Sequence, residues 1–345
     1  MGQNLIFTND VEAAIKRIEG DSDHNTTVWI ADVNTARLIP PQTHQITIPD
    51  GDGHKTLETV TAVWEQMERM GVTRHSLVIN LGGGMVTDLG GFAAATFKRG
   101  VRFINVPTTL LGAVDAAVGG KTGFNHGGLK NEIGVFALAS DVIISTRFFD
   151  TLPLQEMKSG FAEVLKHALL SDRDEFLRLL SHDFATPIDH DDLLQRVRHS
   201  VHVKADIVAR DPNEQGERKA LNLGHTVGHA FESLTLQRGN AVPHGYAVAW
   251  GLVTEAVLSH MSLRFPSEDV HRLGTFVRDN YQDFPFTCDD YDDLVELMRH
   301  DKKNHSSSAI TCTLLADIGD YRIDQAVTPD DITAALDILR DLLGV

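Results

Sequence analysis

The chain has 345 residues, 42% of them hydrophobic, and a formal net charge of -17. That length exceeds one ordinary hydrophobic core, so two domains are expected. The negative balance argues against a general nucleic-acid or membrane-surface binder, which needs a basic face, although a few clustered lysines can still set the field around a small anionic ligand.

No apolar run reaches the length of a membrane span. The opening M-G-Q-N-L-I-F-T-N-D lacks the basic start and apolar stretch of a signal peptide. Ile6 stands where a myristoylation signal needs Ser or Thr. Cys288 and Cys312 form neither a metal spacing nor a disulfide framework. A cytoplasmic protein is expected.

The first half alternates short apolar runs with helical patterns, the signature of a mostly parallel sheet. Residues 27–31 (T-V-W-I-A) read as a buried strand ending at Asp32. An acid there can bond a ribose hydroxyl, as in dinucleotide folds, or cap a helix. Residues 46–48 form another strand, the turn-rich P-D-G-D-G-H-K follows, and 56–70 show helical periodicity. The strand at 76–81 runs into Gly82-Gly83-Gly84, and a helix is expected over 85–95. A glycine turn between strand and helix lets backbone N–H groups approach a phosphate, aided by the positive helix end. It is not the G-x-G-x-x-G fingerprint. A strand at 103–106 leads to P-T-T-L-L-G-A-V-D-A-A-V-G-G-K-T-G, with Asp115 and Lys121 among glycines, then Lys130-Asn131 and a strand at 142–144.

From about Thr151 the chain reads as mainly helical: 154–180, 191–209, 221–236, 245–261, 267–280, 291–300 and 329–343, with a short strand at 310–315. The expected division is 1–151 and 152–345. Within the second part, L-N-L-G-H-T-V-G-H-A-F-E and V-P-H-G carry His225, His229 and His244, and S-G-F-A-E-V-L-K-H carries Glu163. One carboxylate plus histidines from separate helices is the ligand set of a catalytic zinc with an open position.

The ordered motifs G-G-G-M-V-T-D-L-G-G-F-A-A-A, R-G, P-T-T-L-L, V-D-A-A-V-G-G-K-T-G-x-N, K-N, T-L-P-x-x-E, S-G-x-A-E-V-x-K, L-N-x-G-H-T-x-G-H-A and H-G-x-A-V span roughly residues 30 to 320. In them the chain resembles the 3-dehydroquinate synthase family of sugar phosphate cyclases. The resemblance implies an α/β Rossmann-like NAD-binding N-terminal domain and a mainly α-helical C-terminal metal- and substrate-binding domain, with the active site in the cleft between them. Metal ligands match Glu163, His225 and His244, which moves His229 from ligand to substrate contact or proton handling. NAD-binding positions match Asp32, Asp52, Lys55, Gly83, Gly84, Met85, Asp88, Thr108, Thr109, Thr151, Leu152 and Glu156, with Phe148 alongside. Substrate-contacting positions match Asp115, Lys121, Lys130, Asn131, Lys166, Lys204, Arg218, Asn222, His229 and Lys302. Arg99 matches an arginine presented to the neighbouring subunit's phosphate site, which implies a homodimer.

Three departures stand out. Asp52 replaces the family's usual Glu, Ala116-Ala117 a serine pair, and Leu138-Ala139 a Gln-Pro pair. The implied cofactors are NAD and Zn2+ (or Co2+), and the implied substrate is 3-deoxy-D-arabino-heptulosonate 7-phosphate, a sugar acid phosphate. Lys121, Lys130, Lys302 and the partner's Arg99 would face its phosphate, and Arg218 and Lys204 its carboxylate, which suits the guanidinium fork. Competing readings are a sister cyclase making an amino-dehydroquinate, inosose or valiolone-type ring, a metal-dependent polyol dehydrogenase, and a non-catalytic NAD-binding homologue. The retained Lys204, Arg218, Asn222 and His229 favour a substrate with a carboxylate. A dehydrogenase would not need the cation set, and a non-catalytic homologue would have lost part of it.

Overall fold

A computed structural model describes residues 2–20, 24–127, 129–281, 285–299 and 310–345. The chain divides into two units, Met1–Pro153 with Ile188–Ala205, and Leu154–Pro187 with Asp206–Val345.

The first unit contains β1 (Asn4–Phe7), α1 (Val11–Gly20), β2 (Thr27–Asp32), β3 (Gln45–Ile48), α2 (Leu57–Arg69), β4 (Leu77–Gly82), α3 (Gly84–Thr96), β5 (Arg102–Pro107), β6 (Lys121–His126), β7 (Leu129–Phe136) and β8 (Asp141–Ile144). Six strands form one sheet in the order β1-β8-β5-β4-β2-β3, and every pairing in it is parallel. β4, L-V-I-N-L-G, is buried along its whole length. A near-continuous apolar run is what a parallel strand covered on both faces requires. Trp29, Leu77, Ile79, Ile104 and Ile143 pack with Ile15 and Ile18 of α1. In α2 the Thr56 hydroxyl caps the start by accepting from the Thr59 N–H, and Val60, Val63 and Met67 form the buried stripe.

The path of the sheet creates a crevice. From β2 the chain moves outward to β3, crosses back to β4, and continues the other way to β5. Connections from β2 and β4 therefore diverge, and ligands bind at such a switch point beyond the carboxyl ends of the strands. Ala31 pairs with Leu81, so Asp32 and Gly82 end neighbouring strands.

The second unit is mainly helical: α4 (Leu154–Leu169), α5 (Arg173–Leu179), the later part of α6 (His190–Arg210), α7 (His225–Gln237), α8 (His244–Leu263), α9 (Ser267–Asn280), α10 (Tyr291–Arg299) and α11 (Pro329–Leu343), with the antiparallel pair β9 (Ile310–Asp317) and β10 (Asp320–Val327). α8 is its centre, buried from Ala247 to Ser259 and packed against α4, α7, α9, α11 and β9. A helix apolar all round belongs inside a core. Glycines let its neighbours approach. A Cβ on Gly245 would lie 1.9 Å from the Ser159 carbonyl oxygen of α4, and one on Gly251 2.0 Å from that of Gly224, just before α7.

The fold class is as expected: a Rossmann-like parallel sheet followed by a helical region. The helix expected over 154–180 is two helices, because Asp172 accepts the Glu175 N–H at 2.8 Å and starts α5. Aspartate favours that capping position over a helix interior. The helix expected from 221 begins at His225, after Gly224 in the left-handed region at φ 78. β1, α1, β10 and the β6–β7 hairpin had no counterpart in the expectation. In the hairpin Gly123 and Gly134 oppose one another, and a Cβ on Gly123 would lie 2.3 Å from the Ile133 oxygen. The first part of α6 belongs with the sheet, because His190 pairs with Asp150 at 3.1 Å, the His202 ring meets Phe7 edge-on, and Arg198 lies over Phe7. Among the described residues, no helix is long and apolar enough to cross a membrane.

Gly251→Ala places its methyl against backbone, which cannot yield cheaply. We expect it to lower unfolding free energy by about 1–3 kcal/mol in urea titration. Gly53→Ala, whose Cβ meets nothing within 4 Å, should stay within about 0.5 kcal/mol.

Candidate active site

Glu163 is the centre of the helical unit's polar cluster. It lies on α4 with no exposed surface. Its Oε1 is 3.3 Å from His225 Nε2 and 3.4 Å from His244 Nε2, and its Oε2 contacts the buried Lys166 one turn along the same helix. Neither carboxylate oxygen receives a hydrogen bond of proper geometry. Burial alone would raise the carboxyl pKa, but Lys166 and His225 outweigh it and hold Glu163 well below the usual carboxylate range.

Both imidazoles are fixed from behind. His225 Nδ1 is 3.1 Å from the Leu223 carbonyl oxygen. A carbonyl only accepts, so Nδ1 carries the proton and Nε2 presents a lone pair to Glu163 when the ring is neutral. His244 Nδ1 is 3.0 Å from Glu232 Oε2, with the same consequence. With both rings neutral, two lone pairs and an anionic oxygen converge, which repels unless a proton or a metal cation lies among them. Ligands 2.0–2.1 Å from a tetrahedral ion stand about 3.3 Å apart, close to the two separations observed. The donor set of one carboxylate and two imidazoles, backed by a carbonyl and a second carboxylate, therefore fits a divalent ion such as zinc. His229, Glu232 and His244 also present donor atoms within 4.8 Å of one another. In that set, though, His244 meets Glu232 through the hydrogen-bonded Nδ1.

α7 is held rigidly where His225 begins it. The buried Glu255 of α8 accepts N–H groups from Gly224 at 2.6 Å, Thr226 at 3.1 Å and Val227 at 3.3 Å. A carboxylate at a helix N-terminus satisfies its unpaired donors and complements the dipole. His229 is one turn on and half-buried, its ring centroid 5.3 Å from that of His225 and 6.1 Å from that of His244. The Arg218 guanidinium is buried and donates to the Pro212 carbonyl at 2.7 Å. Asn222 donates to Glu214 at 3.4 Å.

The sheet unit builds a second cluster at the strand ends. Asp32 accepts the N–H groups of Asn34 and Thr35, each at 2.8 Å. Gly83 caps α3, and a Cβ there would lie 3.0 Å from Thr109, so a side chain would crowd this turn. Met85 follows within α3. Thr108 donates its N–H to Gly82 at 3.0 Å, and Thr109 Oγ1 accepts from Gly112. Buried Lys55 reaches Asp88 at 2.5 Å and also contacts Asn131. Burial raises the Asp88 pKa against the pull of Lys55. Lys204 of α6 donates to the Asp115 carbonyl at 2.6 Å and contacts its carboxylate, where Gly112–Ala116 makes a π-helical turn. Such turns recur at functional sites.

Residues 45–159 match the family described as 3-dehydroquinate synthase N-terminal, and residues 160–304 the one described as 3-dehydroquinate synthase C-terminal. A 3-dehydroquinate synthase of Parabacteroides distasonis is 42% identical over 99% of each chain. The chain belongs to the 3-dehydroquinate synthase family. Among solved structures, a 2-deoxy-scyllo-inosose synthase complexed with carbaglucose-6-phosphate, NAD+ and Co2+ is 24% identical, with a TM-score of 0.84 over 98% of this chain and 96% of that one. A 2-epi-5-epi-valiolone synthase from Streptomyces hygroscopicus subsp. jinggangensis, with NAD+ and Zn2+ bound, is also 24% identical, with a TM-score of 0.83 over 99% and 97%. Both share the fold.

Measured against the positions that the 3-dehydroquinate synthase family implies, Glu163, His225 and His244 come together, with Lys166 and His229 beside them. Asp115 with Lys204, and Lys55 with Asp88 and Asn131, also meet. Lys121 is exposed on β6, and Lys130 pairs with Asp52 at 3.7 Å. Phe148 packs on the sheet core. Thr151 is exposed and Leu152 half-buried beside it, and Glu156 is exposed in the first turn of α4. Arg99 is exposed at φ 67, between Lys98 at φ 48 and Gly100 at φ 115. Lys302 lies outside the described residues. Sequence reasoning missed Glu232 and Glu255. For Glu232 a signal existed: it follows His225 and His229 at helical spacing, on the same face of α7.

Burial disfavours a charged His244, but Glu232 and Glu163 reverse this and push its pKa up to about 10. An entering ion must then displace that proton. Between pH 7 and 9 we expect zinc affinity to rise about tenfold per pH unit, with about one proton released per ion, counted by calorimetry in buffers of different ionisation enthalpy. Glu232→Gln should weaken zinc binding about 10–100-fold while leaving one site per chain. An unchanged affinity would show that this carboxylate does not support the ligand.

Proposed function

We propose that the chain converts 3-deoxy-D-arabino-heptulosonate 7-phosphate to 3-dehydroquinate and phosphate, with a catalytic NAD and a divalent ion, zinc in the first instance. It is an enzyme of the 3-dehydroquinate synthase type, a phosphate-eliminating carbon–oxygen lyase, and so serves the shikimate route to chorismate and aromatic amino acids, here assigned to the cytoplasm. The observation that carries the site reading is the buried, underbonded Glu163 facing two imidazole nitrogens.

In this reading residues 1–151 hold the dinucleotide, with Asp32 at the ribose end, the N–H groups of Gly83, Gly84 and Met85 toward the pyrophosphate, and Lys55, Asp88, Thr108 and Thr109 around it. Residues 152–345 hold the ion through Glu163, His225 and His244. When bound, NAD supplies reversible hydride transfer and the ion Lewis acidity at the substrate hydroxyl, so phosphate leaves without net redox change. Arg218 and Lys204 orient the substrate carboxylate, with Asp115 and Asn222 fixing neighbouring hydroxyls. Lys121, Lys130, Asn131 and Lys302 hold the phosphate. His229 and Lys166 lie beside the residues assigned to the ion and are assigned proton movement there. Arg99 completes the phosphate site of the partner in a homodimer.

The test is incubation of purified protein with the heptulosonate phosphate, NAD and zinc. The expected result is equimolar phosphate and dehydroquinate with no accumulated NADH. Stoichiometric NADH would point to a dehydrogenase, and turnover only of a carboxylate-free sugar phosphate to an inosose- or valiolone-type cyclase. Glu163→Ala should lose metal and turnover together. Retained zinc with full activity would remove it from the ligand set.

A further inference from the structure

Among the contacts that tie the β6–β7 hairpin to the loop before α2 are those of one side chain assigned no role so far, the asparagine that ends V-D-A-A-V-G-G-K-T-G-x-N. Asn125, on β6, donates from Nδ2 to the Asp52 carbonyl at 3.0 Å and to Asp52 Oδ2 at 3.3 Å. Its Oδ1 accepts the Asn131 N–H at 2.9 Å. Its own N–H donates to the Lys55 carbonyl at 2.7 Å. Around it, Lys130 pairs with Asp52 at 3.7 Å and Lys55 contacts the Asn131 side chain. Asn131 is held at φ 51, a left-handed conformation that asparagine tolerates better than most residues.

The arrangement has a direction. Asp52 and Lys55 belong to the proposed cofactor side, and Lys130 and Asn131 to the proposed phosphate side. The Asn125 side chain bonds to both, beside the direct Lys130–Asp52 and Lys55–Asn131 contacts. We infer that Asn125 is a positioning residue that couples dinucleotide binding at Asp52–Lys55 to anion binding at Lys130–Asn131. This rests on the assignment of those two pairs made above. A ligand that orders the Asp52 loop fixes the Nδ2 bonds, and through Oδ1 it fixes the backbone that aims Asn131 and Lys130. Linkage makes the effect reciprocal: an anion on the hairpin tightens the dinucleotide by the same factor. Asp52 strengthens the case, because its shorter side chain is engaged by Asn125 and Lys130 within the chain itself.

The experiment is calorimetric titration of NAD into the zinc-loaded full chain, with and without saturating inorganic phosphate. The natural chain should bind NAD at least about fivefold more tightly with phosphate. Asn125→Ala should bring that ratio to about one while zinc content and far-UV spectrum stay unchanged. Asn125→Asp keeps an acceptor for the Asn131 N–H but loses the donor to Asp52, and should lose the ratio as well. A ratio preserved in either folded variant, or absent from the natural chain, overturns the coupling. Failure of the natural chain to bind NAD at all would overturn the cofactor assignment, and this inference with it.

Discussion

A carboxylate without exposed surface is the constraint on which the helical unit depends. Removing an ionised carboxylate from water costs several kcal/mol even after local relaxation, and Glu163 is held ionised by its surroundings. Lys166 compensates one oxygen. The other faces two imidazole nitrogens whose remaining ring nitrogens are committed elsewhere. A core built only for stability would neutralise or omit such a group. Keeping it makes sense where a doubly charged ion supplies the missing attraction, because the ion gains in the low dielectric what the carboxylate loses in hydration.

Such a cluster works only if its three helices cannot drift. Backbone contact does this more stiffly than side-chain packing. α8 lies against α4 at Gly245 and against the start of α7 at Gly251, at separations where no β-carbon fits. Glu255 then binds the first N–H groups of α7 from within the core. His225 and His244 each stand at the first residue of a helix, where the backbone is best defined by these contacts. The geometry of Glu163, His225 and His244 is thus a consequence of glycine placement and one buried cap.

Much of this was legible in the sequence, and the remainder follows a physical rule. Strands such as 76–81 declared themselves as apolar runs ending in glycine, and the histidine spacing in H-T-V-G-H was visible as helical. What escaped depends on residues distant in the chain. The β6–β7 hairpin reads as a glycine-rich loop, because Gly123 and Gly134 are required by each other and not by their neighbours. Glu255 reads as an ordinary helix residue until α7 lies beside it. The first part of α6 looks like any amphipathic helix, yet Lys204 must reach Asp115 in the sheet unit. Asp172 was the local exception: its capping tendency could have split the helix expected over 154–180.

A formal charge of -17 and an anionic substrate are reconciled by how the lysines are held. Lys55 faces Asp88, Lys130 faces Asp52, Lys166 faces Glu163 and Lys204 faces Asp115. Lys55, Lys166 and Lys204 are each held against a carboxylate, so their direction is set by the chain itself, while the half-exposed Lys130–Asp52 pair at 3.7 Å is looser. An isolated buried lysine would tend to shed its proton, and an exposed one would wander among rotamers. The acidic partners therefore act as orienters. They weaken the local positive field somewhat, but spare the ligand the entropy of gathering flexible side chains. The surplus negative charge elsewhere disfavours nonspecific polyanions, so under the proposed function a small dianion would be recognised only where lysines are already aimed.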